Sequence, residues 1–155
     1  AHVTDVDPDL GFMLDAQQTM RDWSALMEMG EGWRQNIDEF GPEIKRTLLR
    51  ADALNAADLT RANTARHKGW QRMQAFFETH DVCVWPTNSQ PPYSADDDTS
   101  ELDLDETSTL VTPLLGLPAL SVPVGLTTAS FPASVQFIGP RHADLDLIHI
   151  AKEVT

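Results

Sequence analysis

The chain is poor in basic residues, cysteine and long apolar runs, and each shortage excludes something. Eleven lysines and arginines stand against twenty-four aspartates and glutamates, a formal net charge of −13. A chain this acidic repels phosphate backbones and anionic headgroups, so neither nucleic acid nor a membrane surface is an expected partner. Much of the excess is local: residues 96–106 hold seven acidic side chains and no basic one, against fourteen acidic and nine basic over residues 1–95. The single cysteine, Cys83, cannot close a disulfide within the chain or supply a thiolate metal site alone. No stretch approaches the roughly 20 apolar residues that span a bilayer. Ala1 to Pro8 carry neither the basic start nor the apolar core of a secretory signal, so the expected compartment is the cytoplasm.

What is present has the balance of a globular protein. At 155 residues, 41% hydrophobic and 23% charged, the chain suffices for one compact domain and not for two ordinary ones. The first 80 residues read as helices. Asp7-Pro8 is a start signal, followed by Leu10, Met13, Leu14, Met20, Trp23 and Met27 at near-helical spacing. Gly30 and Gly32 break that run, and Gly41-Pro42 opens a second helix. Asn55 caps a third, from about Ala56 to Thr79, whose inner stripe is Leu59, Ala62, Arg66, Gly69, Met73 and Phe76.

The pattern changes at His80-Asp81. Val82 to Trp85, ended by Pro86, reads as a buried strand, and Ala119–Val124 and Ser134–Ile138 read as two more. Pro123 makes the second of these short, an edge or bulged. Ser108–Leu115 is ambiguous, and Asp144–Val154 reads as a closing helix. The expected fold class is thus α/β: helices, then a few short strands of a mixed sheet covered on both faces, then a C-terminal helix. The whole of 1–155 reads as one segment, helical over 1–80 and strand, loop, strand, strand, helix over 81–155.

Four pieces in order resemble one family. Gly116-Leu117-Pro118-Ala119-Leu120-Ser121-Val122-Pro123-Val124-Gly125 is similar to the C-terminal core of amidase-signature enzymes. So is Phe131-Pro132-Ala133-Ser134-Val135-Gln136-Phe137-Ile138-Gly139-Pro140-Arg141 with its closing helix. Upstream, Asp81 to Thr87 resembles the family's strand ending in Pro-Thr, and Ala57-Asp58-Leu59, Ala62 and Arg66 resemble the helix before it. The chain departs from the pattern where the family usually has glycines, at Ser130 and Ser134. Pro113-Leu114-Leu115 also stand where an asparagine is usual, and the loop from Gly125 to Phe131 is short.

The resemblance implies the C-terminal portion of an amidase-like hydrolase acting on amide C–N bonds. That chemistry uses a serine nucleophile, a second serine in a cis peptide and a lysine relay, on a glycine- and serine-rich stretch of the N-terminal half. Nothing here matches that stretch, so no catalytic residue is expected in this chain, and no cofactor. The implied partner is the missing N-terminal half, or another copy through self-association. A small amide substrate would bind only in the complete enzyme. A non-catalytic remnant or protein-interaction module is the alternative.

Trp85 and Thr87 are the candidate substrate-binding residues, because ligands of layered α/β sheets often bind where strands end. The competing reading is a core tryptophan and a turn threonine. Arg66, on an apolar stripe, is expected to form a structural ion pair, with Asp81 or a carbonyl. Cys83, between valines, reads as a small buried hydrophobe. None of His2, His67, His80, His142 and His149 has the helical pairing with glutamate of a zinc site. The run Asp96–Glu106, with Asp103 and Asp105, lacks the spacing of a calcium loop, so no metal is expected.

Overall fold

Helix formation starts later than the Asp7-Pro8 signal suggests. In the computed structural model, which describes residues 2–88, 91–94 and 112–154, the Asp7 carboxylate accepts from the Asp9 amide at 2.7 Å and Asp9 takes a φ of +53°. This local turn competes with a helical start. Arg72 holds it in place by reaching both the carbonyl and the carboxylate of Asp9. A 3-10 turn, Gly11–Met13, then leads into α1, Leu14–Met29, which stops at Gly30 with φ +66°. Leu10 and Met13 are buried from outside α1, whereas Leu14 and Met27 of the expected stripe are exposed.

A 3-10 segment, Glu31–Glu39, follows and buries Trp33. Pro42 opens α2, Pro42–Asp52, where its missing N–H costs nothing. Between α1 and α2 lies a half-buried ion pair. Asp22 accepts from Nε and Nη2 of Arg50, both at 2.9 Å, and from Gln18 at 2.8 Å.

Asn55 caps α3, Ala56–Phe77, as its side chain predicts. Its Oδ1 accepts from the Ala57 and Asp58 amides, and the Asp58 carboxylate accepts from the Asn55 amide, a complete capping box. The buried face of α3 is Ala62, Gly69 and Met73. Gly69 leaves room for Met13: a Cβ there would sit 2.0 Å from the Met13 sulfur. Arg66 does not behave as expected. It is exposed, and no ion pair with Asp81 or any other carboxylate forms among the described residues. The long apolar stem of arginine lets a residue at the border of an apolar stripe place its charge in water.

Three strands follow: β1, Cys83–Pro86; β2, Ala119–Leu126; and β3, Pro132–Ile138. Their order is β1-β3-β2 and both pairings are antiparallel, so β3 is central and β1 and β2 are edges among the described residues. The register shifts between Pro123 and Gly125, leaving Val124 unpaired, so Pro123 sits at a bulge on an edge strand. β2 and β3 join through a tight turn in which Ser130 takes φ +65° and its amide donates to the Thr127 carbonyl at 2.9 Å. Of the ambiguous stretch Ser108–Leu115, residues 112–115 form a helical turn and the rest lies outside the described residues.

The sheet has a layer on each face. Cys83 and Ile138 pack against Leu10, Met13, Met73 and Leu115 on one side. Val122 and Phe137 pack on Leu147 and Ala151 of α4, Asp144–Val154, on the other. The result is a mixed α/β arrangement of helices, a small antiparallel sheet and a closing helix. Neither cover is complete: Val84 of β1 is 50% exposed, and at the hairpin end Val124, Leu126 and Phe131 are 59%, 70% and 43% exposed.

Candidate functional site

Alternation along a strand decides which side chains share a face. The register aligns Trp85 with Gln136 and Gln136 with Ser121, one row across all three strands. Thr87, two residues past Trp85, continues β1 by donating its amide to the Ser134 carbonyl at 3.0 Å. Its hydroxyl lies 2.9 Å from that of Ser121. Thr87 and Ser121 come from opposite edges of the sheet, so this bond bridges over β3.

The structure thus brings the two candidate residues to one polar strip. Trp85 is partly buried and packs against the core beneath α3, while Thr87 belongs to the hydroxyl pair. Two members were missed by sequence reasoning, Ser121 and Gln136. Ser121 is the one polar side chain of β2 and Gln136 alternates with Ser134 on β3, but the row they form with Trp85 exists only through the register between strands. Gln136 is the informative one. Its Oε1 is buried and accepts no hydrogen bond among the described residues. A buried carbonyl left without a donor costs about 1–3 kcal/mol, so such atoms are rare and point to a partner that comes from elsewhere.

The strip gathers the kinds of group that an amide can hydrogen-bond or stack on. A carbonyl acceptor, two hydroxyls and an indole plane match the donors, acceptors and flat faces of an amide group. It is not arranged to attack one. A serine needs an adjacent base, and among the described residues neither Ser121 nor Ser134 is hydrogen-bonded to a histidine or lysine. Cys83 is no substitute nucleophile: burial, helped by the nearby Asp7 carboxylate, pushes its thiol up to about 11, which keeps it protonated at neutral pH. Among the described residues no three histidine, cysteine, aspartate or glutamate side chains gather as metal ligands, and no helix is long and apolar enough to cross a membrane. The acidic run Asp96–Glu106 lies outside the described residues.

Comparison with known proteins bears on the family and the fold. Residues 10–148 fit the family model described as Amidase. The chain is 32% identical over 142 residues to a glutamyl-tRNA(Gln) amidotransferase subunit from Dehalococcoides mccartyi, covering 86% of this chain and 28% of that protein. Among solved structures, one described as an amidase superposes with a TM-score of 0.86 at 20% identity, over 97% of this chain and 36% of the other. A bacterial aryl acylamidase of the amidase signature family superposes at 0.75 with 24% identity, over 96% and 35%. The chain therefore spans about a third or less of the length of the proteins it matches.

Proposed function

Because the chain belongs to the amidase family, we propose that it forms the C-terminal segment of an amide C–N hydrolase, supplying part of the central sheet and one wall of the substrate pocket. The nucleophile, its partner serine and the lysine relay would lie on other residues, on a longer parent chain or a separate one. The observation that carries this reading is the open sheet: both edge strands present unpaired backbone groups among the described residues. Three further features support it. The chain matches only part of each relative, the covers of the sheet leave Val84 and the hairpin tip exposed, and Gln136 Oε1 waits for a donor.

In this reading Trp85 and Thr87 face the substrate, with Ser121 and Gln136 beside them. Gln136 Oε1 would accept either the substrate amide N–H or a donor on the completing half. Oxyanion stabilisation must also come from that half, since it requires backbone N–H groups aimed at the reacting carbonyl. The substrate class is a small amide.

Two assays test this. The purified 155-residue chain should hydrolyse no simple amide. Adding a second chain that carries the serine- and lysine-bearing half of an amidase-family protein should give an assembled complex with turnover. In that complex Trp85→Ala should raise KM more than it lowers kcat, as expected for a residue that holds substrate without reacting. Turnover by the chain alone, abolished by Ser121→Ala or Ser134→Ala, would overturn the proposal.

A further inference from the structure

Most arginines of this protein are neutralised locally. Arg21, Arg34, Arg50, Arg61 and Arg72 each pair with a carboxylate. Arg46, Arg66 and Arg141 have no such pair among the described residues, and of these Arg66 and Arg141 lie together. Both line the same open cleft, of about 240 Å³, together with His67, Asn63 and Trp70, and among the described residues no acidic side chain contributes to its wall. In a chain of net charge −13, a recess whose described lining carries two guanidinium groups and no carboxylate is a local reversal of charge.

The placement is built by the fold. Asn63, Arg66 and Trp70 stand three and four residues apart on α3, so they share one face. Arg141 arrives from the turn after β3. Its guanidinium lies over the Trp70 ring, 5.5 Å from the centroid, and its Nη2 donates to the Leu115 carbonyl at 3.2 Å. That stacking and that single bond fix the orientation of a group with five N–H donors, leaving further donors for a ligand. Arg66, on the helix side of the same recess, adds a second guanidinium group.

We infer that this cleft between α3 and the turn after β3 binds a small anion, a carboxylate or phosphate group held between Arg66 and Arg141. Paired guanidinium groups suit the planar or tetrahedral oxygens of such groups through charge-assisted, two-pronged hydrogen bonds. The volume is below that of ordinary drug-sized pockets, so the ligand is small. The overall negative charge of the chain opposes non-specific anion uptake, so any binding must come from this local arrangement.

The test is titration of the 155-residue chain at low ionic strength with inorganic phosphate and, separately, with succinate, read by tryptophan fluorescence and calorimetry. Saturable binding with a dissociation constant on the order of millimolar is expected for at least one of them, and the tighter of the two identifies the headgroup. Arg66→Ala should weaken it about tenfold, equivalent to roughly 1.4 kcal/mol, with Arg66→Lys recovering part of the loss. Added salt should weaken it by screening. Arg66 is exposed and holds no structural contact, so its variants keep the fold even where Arg141→Ala disturbs the Leu115 region. Absence of saturable binding to both anions, or binding that Arg66→Ala leaves unchanged, would overturn the inference. Either result is independent of whether the assembled complex hydrolyses amides.

Discussion

The helical first half and the sheet-bearing second half solve the same problem differently. In the helices the polar groups find partners within the half: Asn55 and Asp58 satisfy each other's amides, and Asp22 receives Arg50 and Gln18. In the sheet half, among the described residues, Gln136 keeps a buried carbonyl without a donor, Ser130 sits in left-handed backbone, and two strand edges stay open. Helices satisfy their own backbone and need only a stripe of apolar cover. A sheet needs neighbours on its edges as well, so an unfinished structure shows itself there first.

The sharpest way to break this contrast is to damage the closed half. Asp22 is 3% exposed, and Arg50→Ala would leave its carboxylate buried and unpaired. Removing one partner of a fully buried pair costs roughly 3–5 kcal/mol, and since the Arg50 side chain is 49% exposed the expected loss is smaller, about 2 kcal/mol. Urea denaturation should show it as a lower midpoint at unchanged slope. The hydrogen bond to Asp22 also holds the Arg50 guanidinium in its charged form, its affinity for the proton raised above the ordinary value, so no neutral form relieves the pair. A loss within a few tenths of a kcal/mol would mean that the helical half is as loosely held as the sheet.

How much of this was legible beforehand follows the same division. The capping residue Asn55, the Pro42 start and the bounds of α4 are local signals and could be read directly. The position of Pro123, at a bulge on an edge, followed from its missing donor. Asp7-Pro8 misled because a turn closed by Asp9 and Arg72 outcompeted the helix, and Arg72 lies 63 residues away. Trp33 was missed because a 3-10 segment carries no 3.6-residue period. At the candidate site, Trp85 and Thr87 were readable as the end of a strand. Ser121 and Gln136 were not, since their row with Trp85 exists only once the register between strands is known.

The sheet half can be improved where the closed half cannot. Ser130 occupies a left-handed position, φ +65°, that penalises any residue with a Cβ by roughly 1–2 kcal/mol. Ser130→Gly should therefore stabilise the chain, by about 1 kcal/mol after the entropy lost from a more flexible unfolded state. A rise in Tm would check it, whereas a fall would mean that the Ser130 amide bond to Thr127 depends on the side chain rather than on the turn.

The smallest effect is also the one that separates an unfinished site from a merely imperfect one. Replacing Gln136 by methionine keeps length and volume and removes the unpartnered carbonyl. Removing a carbonyl that has no partner among the described residues returns part of its desolvation cost, offset by the loss of the glutamine N–H₂ group, so the isolated chain should gain no more than about 1 kcal/mol. In the assembled enzyme the same variant should behave oppositely, weakening assembly or raising KM, because there the carbonyl would have found its donor. A glutamine whose loss is neutral in both settings would be an ordinary defect of packing. One whose loss is neutral alone and harmful in the complex marks where the second half, or the substrate, makes contact.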